Sequence, residues 1–233
     1  MAATLRTRRR LSPRARRRLR FVAAFSFYFA AIWLLWATPV VYPIRLFVVL
    51  LHEISHGLAA VVSGGMVERI VLLAEEGGAT YTRGGSAFLI LSAGYLGSLL
   101  WGLLLMAAAR GRPRSVRWSL IALAVLVMGV TLRFVRNPFG IVFGVLFSAA
   151  LGLAARYLRP AGQAVVLSVL GMTSALYALF DIRSDVLDRP HLPSDAHMLA
   201  ELTGVPTAFW GFFWIALGLA ACAYAVVRLY RTA

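Results

Sequence analysis

The motif His52-Glu53-Ile54-Ser55-His56 lies inside a stretch apolar enough to cross a bilayer, and that placement constrains the fold more than any other feature. Phe47-Val48-Val49-Leu50-Leu51 precede it and Gly57-Leu58-Ala59-Ala60-Val61-Val62 follow it. Residues four apart stack on one face of a helix, so His52 and His56 can share one metal ion. Glu53, one residue beyond the first imidazole, is placed to act as a general base beside that ion. Two imidazoles and a carboxylate in hydrocarbon are costly unless they are paired or functional. Chance is a weak alternative. With four His and five Glu in the chain, composition alone produces the pattern about once in 700 such chains.

Composition sets the class around this helix. Hydrophobic residues make up 61% of the 233 residues and charged residues 14%, against about 45–50% and about 25% in a soluble domain. The mean hydropathy is +0.79. The expected fold is an all-α polytopic membrane protein with about six to seven transmembrane segments. The one cysteine, Cys222, excludes an internal disulfide framework and a cysteine-based metal site.

The net charge of +15 is concentrated at the start of the chain. Residues 1–20 hold nine Arg and no acid, and read as a basic, disordered cytoplasmic tail that obeys the positive-inside rule and touches anionic lipid. Nucleic-acid binding is set aside, because no aromatic residue interleaves the arginines and an apolar span follows at once. A cleaved signal peptide is not expected, since no small-residue cleavage site interrupts the apolar run. Residues 21–233 then form one membrane domain.

Within that domain, 21–37 reads as a first span broken by Pro39 and Pro43, and 44–63 as the HExxH helix, stopped by Ser63-Gly64-Gly65. Residues 66–85 alternate and carry turn glycines, the pattern of a β-hairpin. Further spans are expected at 86–109, 118–134, 139–158, 162–180 and 207–227, with a basic loop at Arg110–Arg117 and a polar connection at 181–206. The small residues Ser92, Ala93, Gly94, Gly97, Ser98 and Gly102 suit the fourth segment to close helix packing. Seven full crossings would place the Arg110–Arg117 loop outside, against the positive-inside rule, so one segment, 44–63 first, is expected not to cross fully.

Two His leave a zinc ion short of the three protein ligands usual at a catalytic site. The remaining donors are Glu68, Glu75 and Glu76 on the hairpin, and Asp181, Asp185, Asp188, Asp195, His191 and His197 late in the chain. Asp181 ends an apolar helix; Asp195 follows Ser194 and opens a helix, where an acid is also favoured by the helix terminus alone. Composition does not choose among them.

The ordered set of features resembles the M50B-like membrane metallopeptidases, distant relatives of the site-2 proteases. The set runs from His52-Glu53-Ile54-Ser55-His56-Gly57 through Ser63-Gly64-Gly65, the hairpin with Gly77-Gly78-Ala79-Thr80, and Ser92-Ala93-Gly94-Tyr95-Leu96-Gly97. It continues with Leu179-Phe180-Asp181, Ser194-Asp195-Ala196, Leu202-Thr203-Gly204 and Trp210, and spans roughly residues 40–215. The resemblance implies Zn2+ held by His52, His56 and an Asp, Glu53 as general base, and hydrolysis of peptide bonds in membrane-embedded proteins or peptides. Site-2 proteases take that Asp from an Asn-Pro…Leu-Asp-Gly segment. Here Asn137-Pro138-Phe139-Gly140 carries no Asp, so the motif is absent or degenerate. Asp195 is the first choice, because it stands in a re-folding segment beside an apolar helix as the site-2 Asp does; Asp181 is second. The hairpin implies a strand edge that could hold an unwound substrate by β-addition.

The expected partners are therefore a membrane substrate and the lipid bilayer, with no nucleic acid, and the expected location is a bacterial inner membrane. Two other classes compete. A catalytically dead metal-binding scaffold would have no need of Glu53. A transporter with a His/Glu relay would be expected to show a pair of broken-helix repeats, and none is visible.

Overall fold

A computed structural model describes residues 12–36, 38–183, 185–186 and 194–232. In chain order the elements are α1 (Pro13–Leu35), α2 (Tyr42–Val62), β1 (Met66–Leu72), β2 (Gly78–Arg83), α3 (Ala87–Ala108), α4 (Pro113–Phe134), α5 (Pro138–Tyr157), α6 (Pro160–Arg183), α7 (Asp195–Thr203) and α8 (Thr207–Thr232). Among the described residues, α2, α3, α4, α5, α6 and α8 are long and apolar enough to cross a membrane. The chain is an all-α multi-pass membrane protein with a short antiparallel hairpin after the HExxH helix.

The α2 helix stands inside the bundle rather than at its rim. Two-thirds of its apolar window, 67%, is buried within the protein, against 18% to 44% for the other five spans. Leu46, Phe47, Val48, Leu50 and Leu51 pack with Leu120 and Val127 of α4, Leu151 of α5 and Leu167 of α6. Phe47 stacks on Phe147 with ring centroids 4.7 Å apart. A smaller core of Tyr95, Ile182, Ala196, Leu199 and Trp214 seats the short α7 between α3 and α8.

Small residues let the helices approach, as their spacing suggests. A Cβ on Gly102 of α3 would meet the Gly171 carbonyl oxygen at 2.7 Å and the Ala175 Cβ of α6 at 2.8 Å. Behind α2, Gly64 takes φ +88° and turns the chain into β1. The strands pair from Met66↔Arg83 to Leu72↔Gly78.

Several helices begin earlier than the sequence suggests. Pro13, Pro43, Pro113, Pro138 and Pro160 all lie in the first turn of a helix, where a missing N–H costs nothing and a fixed φ helps. Prolines and arginines that read as loop are thus the opening turns of the helices. Arg114 and Arg117 sit on α4, so the basic loop is shorter than Arg110–Arg117. Residues 13–20, expected in a disordered tail, belong to α1, with Ser12 capping it by accepting from the Ala15 N–H at 3.2 Å. The rest of that tail, residues 1–11, lies outside the described residues.

The close α3–α6 contact predicts a contrast between two glycines. Gly102→Ala should destabilise the protein by about 1–3 kcal/mol, as overpacking does. Gly129→Ala, where an added Cβ meets nothing within 4 Å, should be neutral or stabilising by about 0.5–1 kcal/mol. Thermal unfolding in detergent measures both, and equal midpoints would contradict the packing described.

Candidate metal centre

The i, i+4 spacing on α2 brings the rings of His52 and His56 to 4.7 Å between centroids, inclined at 74°. Ligand atoms of His52, Glu53 and His56 all fall within 4.8 Å of one another. The third partner comes from α7. Asp195 Oδ2 lies 3.0 Å from His52 Nε2 and 3.2 Å from His56 Nε2. Glu53, His56 and Asp195 are all under 9% exposed. Two donors on one tetrahedral zinc stand about 3.3–3.5 Å apart, given bond lengths of about 2.0–2.2 Å. Both Asp195 contacts fall just short of that separation.

The other ring nitrogens are turned outward. His56 Nδ1 lies 2.7 Å from the Ile90 carbonyl oxygen of α3. A carbonyl only accepts, so Nδ1 carries the proton there and Nε2 keeps its lone pair toward Asp195. His52 Nδ1 faces Asp181 Oδ2 at 3.9 Å. The two aspartates considered for the third position therefore lie on opposite sides of the same imidazole, Asp195 on the converging side and Asp181 behind.

Bare backbone closes over these atoms. A Cβ on Gly94 of α3 would collide with His52 Nε2 and Asp195 Oδ2. A donor set of two imidazoles and one carboxylate under a glycine cradle fits a borderline-soft cation such as zinc. On the far side, Thr80 of β2 donates its hydroxyl to Glu53 Oε2 at 2.7 Å. A Cβ on Gly78 would come within 2.6 Å of Glu53 Oε1.

A cavity of about 940 Å³ opens onto His52, Glu53, His56 and Asp195. It also reaches Asp181, Asp185, Glu75 and Glu76, so carboxylates share its wall with the apolar side chains of the surrounding spans. Tyr95 sits edge-on to His52, 5.3 Å between ring centroids, and donates to Asp185 Oδ2 at 2.5 Å.

The remaining sequence candidates are not among the converging donor atoms. Glu68 pairs with Arg83 at 2.8 Å on the hairpin. Glu76 pairs with Arg45 at 2.8 Å. His197 faces Glu201 at 3.5 Å. Asp188 and His191 lie outside the described residues. Sequence reasoning did not single out Tyr95 or the contact of Thr80 with Glu53. Gly94 carried a signal, the small-residue stripe, but its role over the donor atoms depends on the α3 crossing.

The fold and this cluster define a multi-pass membrane protein with a buried two-histidine, carboxylate metal-type site and the Glu53 carboxylate beside it. The chain belongs to the peptidase M50B-like family, whose description matches residues 25–225; membership points to a metallopeptidase. No curated protein and no solved structure matches it.

The ligand geometry predicts that His52→Ala, His56→Ala and Asp195→Ala each lose the metal, because two remaining donors are too few. Asp181→Asn should retain it with affinity weakened by about 10–100-fold, the usual effect of a group that orients a ligand. Metal analysis of the purified variants decides. Full metal in Asp195→Ala with none in Asp181→Asn would reverse the two roles.

Proposed function

We propose that the protein is a zinc-dependent intramembrane peptidase that cuts membrane-embedded proteins or peptides, located in a bacterial inner membrane; its family and six apolar helices support a multi-pass membrane location. The observation that carries this reading is the convergence of His52 Nε2, His56 Nε2 and Asp195 Oδ2 beside Glu53, on the wall of a cavity that other carboxylates also line. His52, His56 and Asp195 would hold the ion. Zinc bound there would supply Lewis acidity toward a carbonyl and lower the pKa of a water toward about 7.

Glu53 is the general base. Its carboxylate takes the proton from the attacking water and delivers it to the leaving amine nitrogen as the peptide bond breaks. Asp195 would share the ion with the two imidazoles, and the Ile90 carbonyl keeps the His56 ring in one tautomer. The cavity supplies water at a depth where lipid would exclude it.

A helical substrate must unwind before it can be cut. Among the described residues β2 pairs with β1 alone. The outer side of β1 is covered near Ile70 and Leu72 by Val135–Asn137. The hairpin edge beside Glu53 is therefore the one open to an extended substrate strand.

Glu53→Gln separates an enzyme from a metal-binding scaffold. It keeps size and helix propensity and removes the base. The variant should keep its metal, while cleavage of a single-span peptide in vesicles falls about 10²–10⁴-fold. Cleavage at the wild-type rate would reject Glu53 as the base, and no cleavage by the wild-type chain would favour the scaffold.

A further inference from the structure

Glu53 is the one member of the cluster whose carboxylate is gripped by the hairpin. Thr80 Oγ1 lies 2.7 Å from Glu53 Oε2 and 3.0 Å from the Glu53 carbonyl oxygen. A hydroxyl has one proton, and the shorter contact to the charged group takes it. Two residues earlier on the same face of β2, Gly78 leaves no room between strand and carboxylate: an added Cβ would stand 2.6–2.9 Å from Glu53 Oε1, Cγ and Cδ. Glu53 is thus hydrogen-bonded on one oxygen and walled by bare backbone at the other.

The same two strand positions are fixed from behind. In the hairpin register Thr80 stands opposite Ile70, and Gly78 opposite Leu72. The connection between α4 and α5 holds both of those partners. The Arg136 N–H donates to the Ile70 carbonyl at 3.0 Å, where Val135 forms a parallel bridge with Ile70. The Asn137 side chain takes both polar groups of Leu72: its Oδ1 accepts from the Leu72 N–H at 3.1 Å and its Nδ2 donates to the Leu72 carbonyl at 2.7 Å. Asn137 thereby replaces a strand neighbour. A one-residue slip of β2 would turn Thr80 to the other face of the hairpin, so this grip determines which side chain meets Glu53.

We propose that Thr80 is a positioning residue that aims the Glu53 carboxylate, and that Asn137 sets the hairpin register that puts Thr80 there. The proposal rests on the reading of Glu53 as the base, but its structural half does not. Thr80→Val keeps shape and removes the hydrogen bond; Thr80→Ser keeps the hydroxyl; Asn137→Ala frees Leu72.

Two measurements on the full chain in detergent test it. The first is a structure of each variant. Thr80→Val should move the Glu53 carboxylate by about 1 Å or more, with His52, His56 and Asp195 in place, while Thr80→Ser leaves it where it is. An unmoved Glu53 in Thr80→Val overturns the proposal, whether or not the protein cleaves anything. The second is kinetic, with a quenched-fluorescent single-span peptide. Thr80→Val should lower kcat about 10–100-fold, the scale of a misplacement of about 1 Å. KM should stay within about twofold and metal content unchanged. Thr80→Ser should recover most of the loss, and Asn137→Ala should lower kcat about 3–10-fold by the same route. Wild-type kcat in Thr80→Val, or equal losses in Thr80→Val and Thr80→Ser, overturns the role of the hydroxyl. Wild-type kcat in Asn137→Ala overturns the role of the register.

Discussion

Three polar side chains must be held inside an apolar helix, and the rest of the structure is arranged around that constraint. An acidic residue at the centre of a lipid-exposed span costs about 2.5–3.5 kcal/mol, and each Leu, Ile, Phe or Val offsets only about 0.3–0.6. One ionised Glu53 therefore cancels roughly half a dozen aliphatic residues of α2, before either imidazole is counted. Shielding by protein resolves this. The α2 helix is the most buried of the six spans, and His52, Glu53 and His56 each meet protein partners rather than lipid.

Those partners come from different elements, which makes the centre a junction. The Ile90 carbonyl and the bare Gly94 backbone come from α3, Asp195 from α7, Asp181 from α6 and Thr80 from β2. This convergence accounts for features that look unrelated along the chain. Gly94 is small because a side chain would strike the donor atoms. The α7 helix is short, and Ala196 and Leu199 are fully buried because they anchor the Asp195 end of it against Tyr95 and Trp214. The hairpin packs over α2 and reaches Glu53. The cavity opens on this side, onto Glu53 and the converging donors alike.

Much of the fold was legible in the sequence. A period of four on α2 brought His52 and His56 together, and the alternation of 66–85 marked the hairpin. The small-residue stripe of α3 marked a close contact. Asp195 was singled out only through the order of motifs, since an acid after Ser194 also suits any helix start. Which nitrogen of His52 each aspartate faces depends on how α6 and α7 return to α2. The helix starts were misplaced where proline was read as a breaker, although a first-turn proline removes only an N–H that had no partner in the helix. Asn137-Pro138 read as a degenerate ligand motif. Its side chain instead binds the Leu72 backbone, and a contact to backbone leaves no mark on the residue contacted. The grip of Thr80 on Glu53 was hidden for a related reason: strand register is decided by tertiary contacts as well as by alternation.

The claim on which the account stands is that one ion is shared by α2 and α7. Diffraction from zinc-loaded crystals at the zinc absorption edge tests it most directly. The account predicts a single anomalous peak about 2.0–2.2 Å from His52 Nε2, His56 Nε2 and an Asp195 carboxylate oxygen. A peak held by Asp181 on the Nδ1 side of His52, or no peak between α2 and α7, would contradict it.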